Sequence, residues 1–263
     1  MKKKYKYVVE VGCSYTAIGG NLVKSGETYG DIVANHFGAK CYNLAMSGGS
    51  FQRMGRKVYQ WCAKNKDKFN DTLILLGMTS LDRYEIWNNN SSSWQPITGH
   101  HWDSAVTMDA HWEYVIPWTV SDKKKYFINF YNDKAQFLSY MNTIIGLQSF
   151  FKVNNIDNIF FNAFCGTLSS LHDPKSVTKG YSIVIDELPF TSKKKVEPQV
   201  DFKLLWDNLV SKENWYTHPK YKAMSELSEI PDMRISKEDE HPNKKAHKYW
   251  GECLLEYINE KNI

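Results

Sequence analysis

Tyr7-Val8-Val9-Glu10-Val11-Gly12-Cys13-Ser14-Tyr15-Thr16 is a short β-rich run that stops at a glycine and continues into a serine. Its length suits a single strand, and Gly12 permits a sharp turn where the strand ends. Working outward, the next strand-like runs are Lys40 to Leu44, Thr72 to Leu76 and Asp157 to Asn162. Helical spacing fills the intervals. Thr28 to Phe37 sets Ile32, Val33, His36 and Phe37 on one side, and Phe51 to Lys66 does the same with Met54, Val58, Trp61 and Cys62. Asp133 to Lys152 is the longest apolar-periodic stretch. In Asn243 to Glu260, Ala246, Tyr249, Trp250, Cys253, Leu254 and Tyr257 share a face. Strands alternating with helices require a largely parallel sheet covered on both sides, so the fold class expected is α/β, a three-layer α/β/α sandwich.

At 263 residues the chain supports one substantial core, and it reads as a single domain, 1–263, with two embellishments. Residues 88–126 hold an Asn/Ser run and then Trp94, His100, His101, Trp102, His111, Trp112 and Trp118. Residues 168–236 are polar, lysine-rich and broken by five prolines. Both read as insertions at the rim of the sheet, where long loops serve binding or cover a site. The hydrophobic share of 42% and charged share of 24% are those of an ordinary globular protein, which excludes disorder as the default.

Several function classes recede on the same reading. The net charge of +4 comes with lysines in short, scattered runs (Lys2 to Lys4, Lys123 to Lys125, Lys193 to Lys195), a pattern of solvated loops that predicts no nucleic-acid partner. The start has basic residues, but the apolar run after them is short and interrupted by Glu10, so it reads as a strand and not as a signal peptide. No run reaches membrane-spanning length, and the expectation is a cytoplasmic protein with no membrane association. Five cysteines (Cys13, Cys41, Cys62, Cys165 and Cys253) in no paired spacing suit thiols in a reducing compartment. The spacing of His100, His101 and His111 matches no zinc motif, so no metal and no cofactor are expected.

Two short segments carry the candidate chemistry. Ser14 follows the first strand, at the carboxyl end where open α/β sheets place their ligands; a serine there also serves as an ordinary turn or cap residue. At the far end, Glu238-Asp239-Glu240-His241-Pro242-Asn243 precedes the last helix, and a histidine beside acids can be oriented as a general base. Read alone, that segment is equally a surface loop in which Asn243 caps a helix.

Taken together, four blocks resemble the SGNH (GDSL-like) hydrolase family in its order. Gly12-Cys13-Ser14-Tyr15-Thr16 is similar to the nucleophile block, with Cys13 in place of the usual Asp. Asn43-Leu44-Ala45-Met46-Ser47-Gly48-Gly49-Ser50 resembles the second block, Leu76-Gly77-Met78-Thr79-Ser80-Leu81-Asp82 the third, and Asp239-Glu240-His241-Pro242-Asn243 the last. The resemblance implies a flavodoxin-like five-stranded sheet and a cofactor-free serine esterase. In it Ser14 is the nucleophile, His241 the base and Asp239 the acid, with Glu238 as the alternate. The oxyanion hole comes from Ser14, Gly48 and Thr79, with Ser80 as an alternate. Thr79 departs from the family pattern, standing where an Asn side chain donates; a hydroxyl can also donate.

The substrate implied is an acylated small molecule or carbohydrate, in the first place an O-acetylated sugar, with Trp102 and Trp112 as candidate stacking residues. The same tryptophans would equally serve to pack the insertion. Two alternatives compete: a catalytically impaired module of the same fold that binds a glycan or protein partner, and a lipase acting at a membrane surface. The latter would want an aliphatic lid, which these polar and aromatic insertions lack.

Overall fold

The computed structural model describes residues 5–19, 22–81, 83–88, 92–98, 133–163 and 202–263. Strands β1 (Tyr7–Val11), β2 (Lys40–Asn43), β3 (Thr72–Met78) and β6 (Asp157–Asn162) form a four-stranded sheet in the order β2-β1-β3-β6. Every pairing in it is parallel. Among the described residues, what pairs beyond β6 is one parallel bridge at the place of the expected fifth strand, in which Tyr216 N–H donates to Phe160 O and Phe160 N–H to Asn214 O. The rings of Phe160 and Trp215 stack across it at 5.6 Å.

The sheet is sorted by alternation. Val9, Val11, Ile74, Leu76, Met78 and Phe160 face one core, built with α2 (Phe51–Lys64) and α3 (Asp133–Val153). Val8, Leu73, Leu75, Ile159 and Phe161 face the other, built with α1 (Tyr29–Phe37) and α5 (Lys244–Lys261). A period of two along strands buried on both faces gives the three-layer α/β/α sandwich that the sequence pattern implies.

Helix starts are written locally. Thr28 and Asp31 form a reciprocal capping box on α1, Ser50 Oγ accepts from Arg53 N–H on α2, and Asn243 Oδ1 accepts from Lys245 and Ala246 N–H on α5. The periodic pattern put these helices within a few residues of their ends.

Two features depart from it. Arg83–Asn88 (β4) and Ser93–Thr98 (β5) pair antiparallel, so a hairpin begins before the expected insertion and enters it. Residues 202–236, read as part of a polar rim insertion, instead supply core: Trp206 of α4 (Phe202–Leu209) and Val210 join the α2/α3 side, while Met224 and Leu227 join the α1/α5 side. Among the described residues no helix is long and apolar enough to cross a membrane, and no cluster of His, Cys, Asp or Glu could hold a metal ion.

Candidate active site

Parallel strands end their carbonyl-terminal tips on one edge, and there β1, β2 and β3 deliver Cys13 to Ala17, Leu44 to Ser50 and Thr79 to Ser80. After β1 the chain folds into a tight turn in which Cys13 O accepts from both Thr16 and Ala17 N–H at 2.9 Å. Gly12 is needed there for close packing: a Cβ would meet Thr16 Oγ1 at 2.1 Å. Ser14 is 4% exposed, whereas Cys13 is wholly enclosed in the α1/α5 core.

The loop after β2 leans on the first. Met46 N–H donates to Gly12 O and Gly49 N–H to Met46 O, with Gly48 between them at φ +68°. Asn43 ties both loops at once. Its Nδ2 donates to Thr16 O at 2.7 Å, and its Oδ1 accepts from Ala45 N–H at 2.9 Å. The N–H groups of Ser14 and Gly48 donate to no acceptor among the described residues. Thr79, following β3, is fully buried, and Ser80 Oγ is buried with no hydrogen-bond partner among the described residues.

His241 lies on a loop that closes on itself before α5. Ile235 N–H donates to His241 O, Ser236 N–H to Asp239 O, and Asn243 N–H to Met233 O. Asn243 Nδ2 also holds the carbonyls of Asp232 and Arg234, so one side chain both caps α5 and pins the loop. Within it, Asp239 Oδ1 sits 2.6 Å from His241 Nδ1 and also accepts the His241 N–H at 3.1 Å. Glu238 turns away, accepting from Ser236 Oγ. With Nδ1 bound to the carboxylate, Nε2 is the free ring nitrogen.

The two segments meet through Tyr15, whose ring lies 5.4 Å from that of His241. Burial pushes the Tyr15 hydroxyl up to about 12, so it stays protonated beside the histidine. No hydrogen bond joins Ser14 to His241 among the described residues. Trp102, Trp112, Asp82, Asp103, His100, His101, His111 and Cys165 lie outside the described residues.

Several solved structures are similar to the chain at low sequence identity. An esterase from Pseudoalteromonas sp. is 9% identical over 97% of each chain, with a TM-score of 0.48. A lipolytic protein of the G-D-S-L family from Veillonella parvula is 13% identical over 96% of this chain and 98% of its own, also at 0.48. An acetylxylan esterase from Geobacillus stearothermophilus is 12% identical over 98% and 96%, at 0.42. No protein-family model and no curated protein matches the sequence.

The sequence reading did not single out Gln52 or the pairing of Trp87 with Trp94. Gln52, in the first turn of α2 just beyond Gly48 to Ser50, has both amide atoms buried without a partner among the described residues. Nothing in its spacing distinguishes it from any helical glutamine. Trp87 and Trp94 form a cross-strand pair on the hairpin, 5.6 Å apart and half exposed, with the Arg56 guanidinium 5.3 Å from the Trp94 ring. Alternating tryptophans on either side of an Asn/Ser turn were the available signal.

Proposed function

We propose that the protein is a serine esterase that cleaves an acyl ester through a Ser14–His241–Asp239 relay. The observation that carries this reading is the 2.6 Å Asp239–His241 pair, held by a closed loop against the residue next to Ser14. Ser14 Oγ attacks the ester carbonyl while its proton passes to His241 Nε2, and the ester C–O bond breaks as His241 returns that proton to the leaving alcohol. Water, deprotonated in turn by His241, releases the acid and restores Ser14. The N–H groups of Ser14 and Gly48 are oriented by loops that Asn43 ties together, and they supply oxyanion donors, with Thr79 or the partnerless Ser80 hydroxyl as the third. That no hydrogen bond joins Ser14 to His241 among the described residues is compatible with this reading, since catalytic hydrogen bonds often tighten only with substrate bound.

The substrate class proposed is an O-acetylated carbohydrate. The exposed Trp87/Trp94 pair, on the hairpin that leaves β3 just beyond Ser80, supports it, because flat aromatic faces suit sugar rings.

The test is mass spectrometry after incubation with a fluorophosphonate, with p-nitrophenyl acetate turnover followed in parallel. One adduct on Ser14, absent from Ser14→Ala, with acetate release lost in His241→Ala, is the expected result. A folded protein that takes up no label would overturn the enzyme reading and favour a binding module of the same fold.

A further inference from the structure

Glu10 is a carboxyl in the middle of a sheet, fully buried on the α1 side of β1. A buried acid needs partners, and this one has three donors around it. Asn43 Nδ2 donates to Oε1 at 2.7 Å, Gly30 N–H donates to Oε2 at 3.1 Å, and Thr28 Oγ1 lies 2.6 Å from Oε1. The contact has shaped its neighbours: a Cβ on residue 30 would fall 2.4 Å from Oε2, so only glycine fits there.

One hydroxyl couples Glu10 to a second acid. Thr28 Oγ1 is also 2.9 Å from Asp31 Oδ2, and its single proton cannot serve Glu10 and Asp31 together. A proton on Glu10 would satisfy both contacts, with Glu10 then donating to Thr28 and Thr28 to Asp31 while Oε1 still accepts from Asn43. Burial pushes the carboxyl in the same direction, up to about 8, with Asp31 adding to the shift. The other titratable groups facing this pocket are Tyr29 on α1 and Cys41 on β2, both raised by burial and by Glu10, and His247 on α5, which burial keeps neutral.

The network does not stop at Glu10. The Asn43 amide group that it holds is the one that donates to Thr16 O, and the other end of that side chain holds Ala45 N–H. We propose that Glu10 is a positioning residue: by orienting Asn43 it sets the two loops that present the Ser14 and Gly48 N–H groups to one point. The role rests on the reading of Ser14 as nucleophile, since Glu10 itself touches no reacting atom.

Glutamine cannot replace it. An amide oriented to accept from Gly30 turns its NH2 toward Asn43, and the flipped amide turns it toward Gly30, so Glu10→Gln always loses one donor. The experiment compares wild type, Glu10→Gln, Asn43→Ala and the double variant. It reads kcat and KM on p-nitrophenyl acetate, fluorophosphonate labelling, and amide hydrogen exchange in the segments 12–17, 43–49 and 72–78.

The expected result is a kcat lowered about tenfold or more in Glu10→Gln, with KM within about twofold. Exchange should be faster in 12–17 and 43–49 and unchanged in 72–78. Adding Glu10→Gln to Asn43→Ala should cost nothing further, since residues acting through one another are not additive. Wild-type kcat and exchange in Glu10→Gln, or independent losses that multiply in the double variant, would overturn the proposal. If Glu10→Gln does not fold, Asn43→Asp removes the same donor and must show the same kcat loss and loop exchange; wild-type values there would overturn it equally. A wild type that never labels, yet shows the exchange changes, would sink the esterase reading and leave the Glu10–Asn43 coupling standing.

Discussion

Asp239 and Glu238 are adjacent acids of the same charge, and only the fold of their loop separates them. Ser236 Oγ takes up Glu238 and the backbone N–H of both, which leaves Asp239 as the carboxylate on the imidazole. If that pairing holds the working tautomer, Asp239→Asn should lower kcat by about 10²- to 10⁴-fold with little change in KM. Glu238→Gln should stay within about twofold. Steady-state kinetics on p-nitrophenyl acetate checks both, and equal effects would mean that neither acid orients His241. Sequence spacing left the two acids open because both fit a short loop, and the distinction lies in hydrogen bonds that spacing does not encode. Glu10 was legible only as a charge that breaks an apolar run; the three donors that make it a hub come from β2, from α1 and from the turn before α1, 33, 20 and 18 residues further along the chain.

Among the secondary-structure elements, α5 starts where the candidate histidine loop ends, and Asn243 belongs to both. Asn243→Ala removes an N-cap worth roughly 1 kcal/mol and frees the carbonyls of Asp232 and Arg234. Urea denaturation should show a loss of about 1 to 2 kcal/mol, and kcat should fall as the loop loosens. The β4–β5 hairpin makes a second prediction. Trp94→Ala should raise KM several-fold for an acetylated oligosaccharide and leave p-nitrophenyl acetate unaffected; equal effects on both substrates would remove the hairpin from sugar binding.

The sheet and its helices were readable because two-sided burial writes period two on strands and 3.6 on helices. The hairpin was hidden by an Asn/Ser tract that looks like loop. Residues 202–236 were hidden by their lysines and prolines, although Trp206, Met224 and Leu227 among them are buried.

For the molecule as a whole, two enclosed titratable groups shape the dependence of stability on pH. Glu10 is raised from 4.5 to about 8 by burial, so the native state holds a proton that the unfolded chain releases; its contribution is complete below 4.5 and is lost as pH rises through 8. His247 is lowered from 6.5 to about 3 by burial, so its contribution is complete above 6.5 and is lost as pH falls toward 3. Between 4.5 and 6.5 the two slopes oppose one another, and from 6.5 to 8 that of Glu10 is the one of the two that remains. Urea midpoints should therefore fall between pH 6.5 and 8 in the wild type and stay level in Glu10→Gln. A wild-type midpoint that is level over this range would show that Glu10 is already ionised.

The ring of His247 accepts the N–H of Tyr29, a residue 218 positions earlier, and stacks on its ring. During synthesis, then, Ser14, Glu10 and the first turn of α1 leave the ribosome long before the segment that completes them. On the proposed reading the nascent chain carries its hydroxyl without its base, and with an open seat where His247 will sit, so hydrolysis would have to wait for α5 to dock.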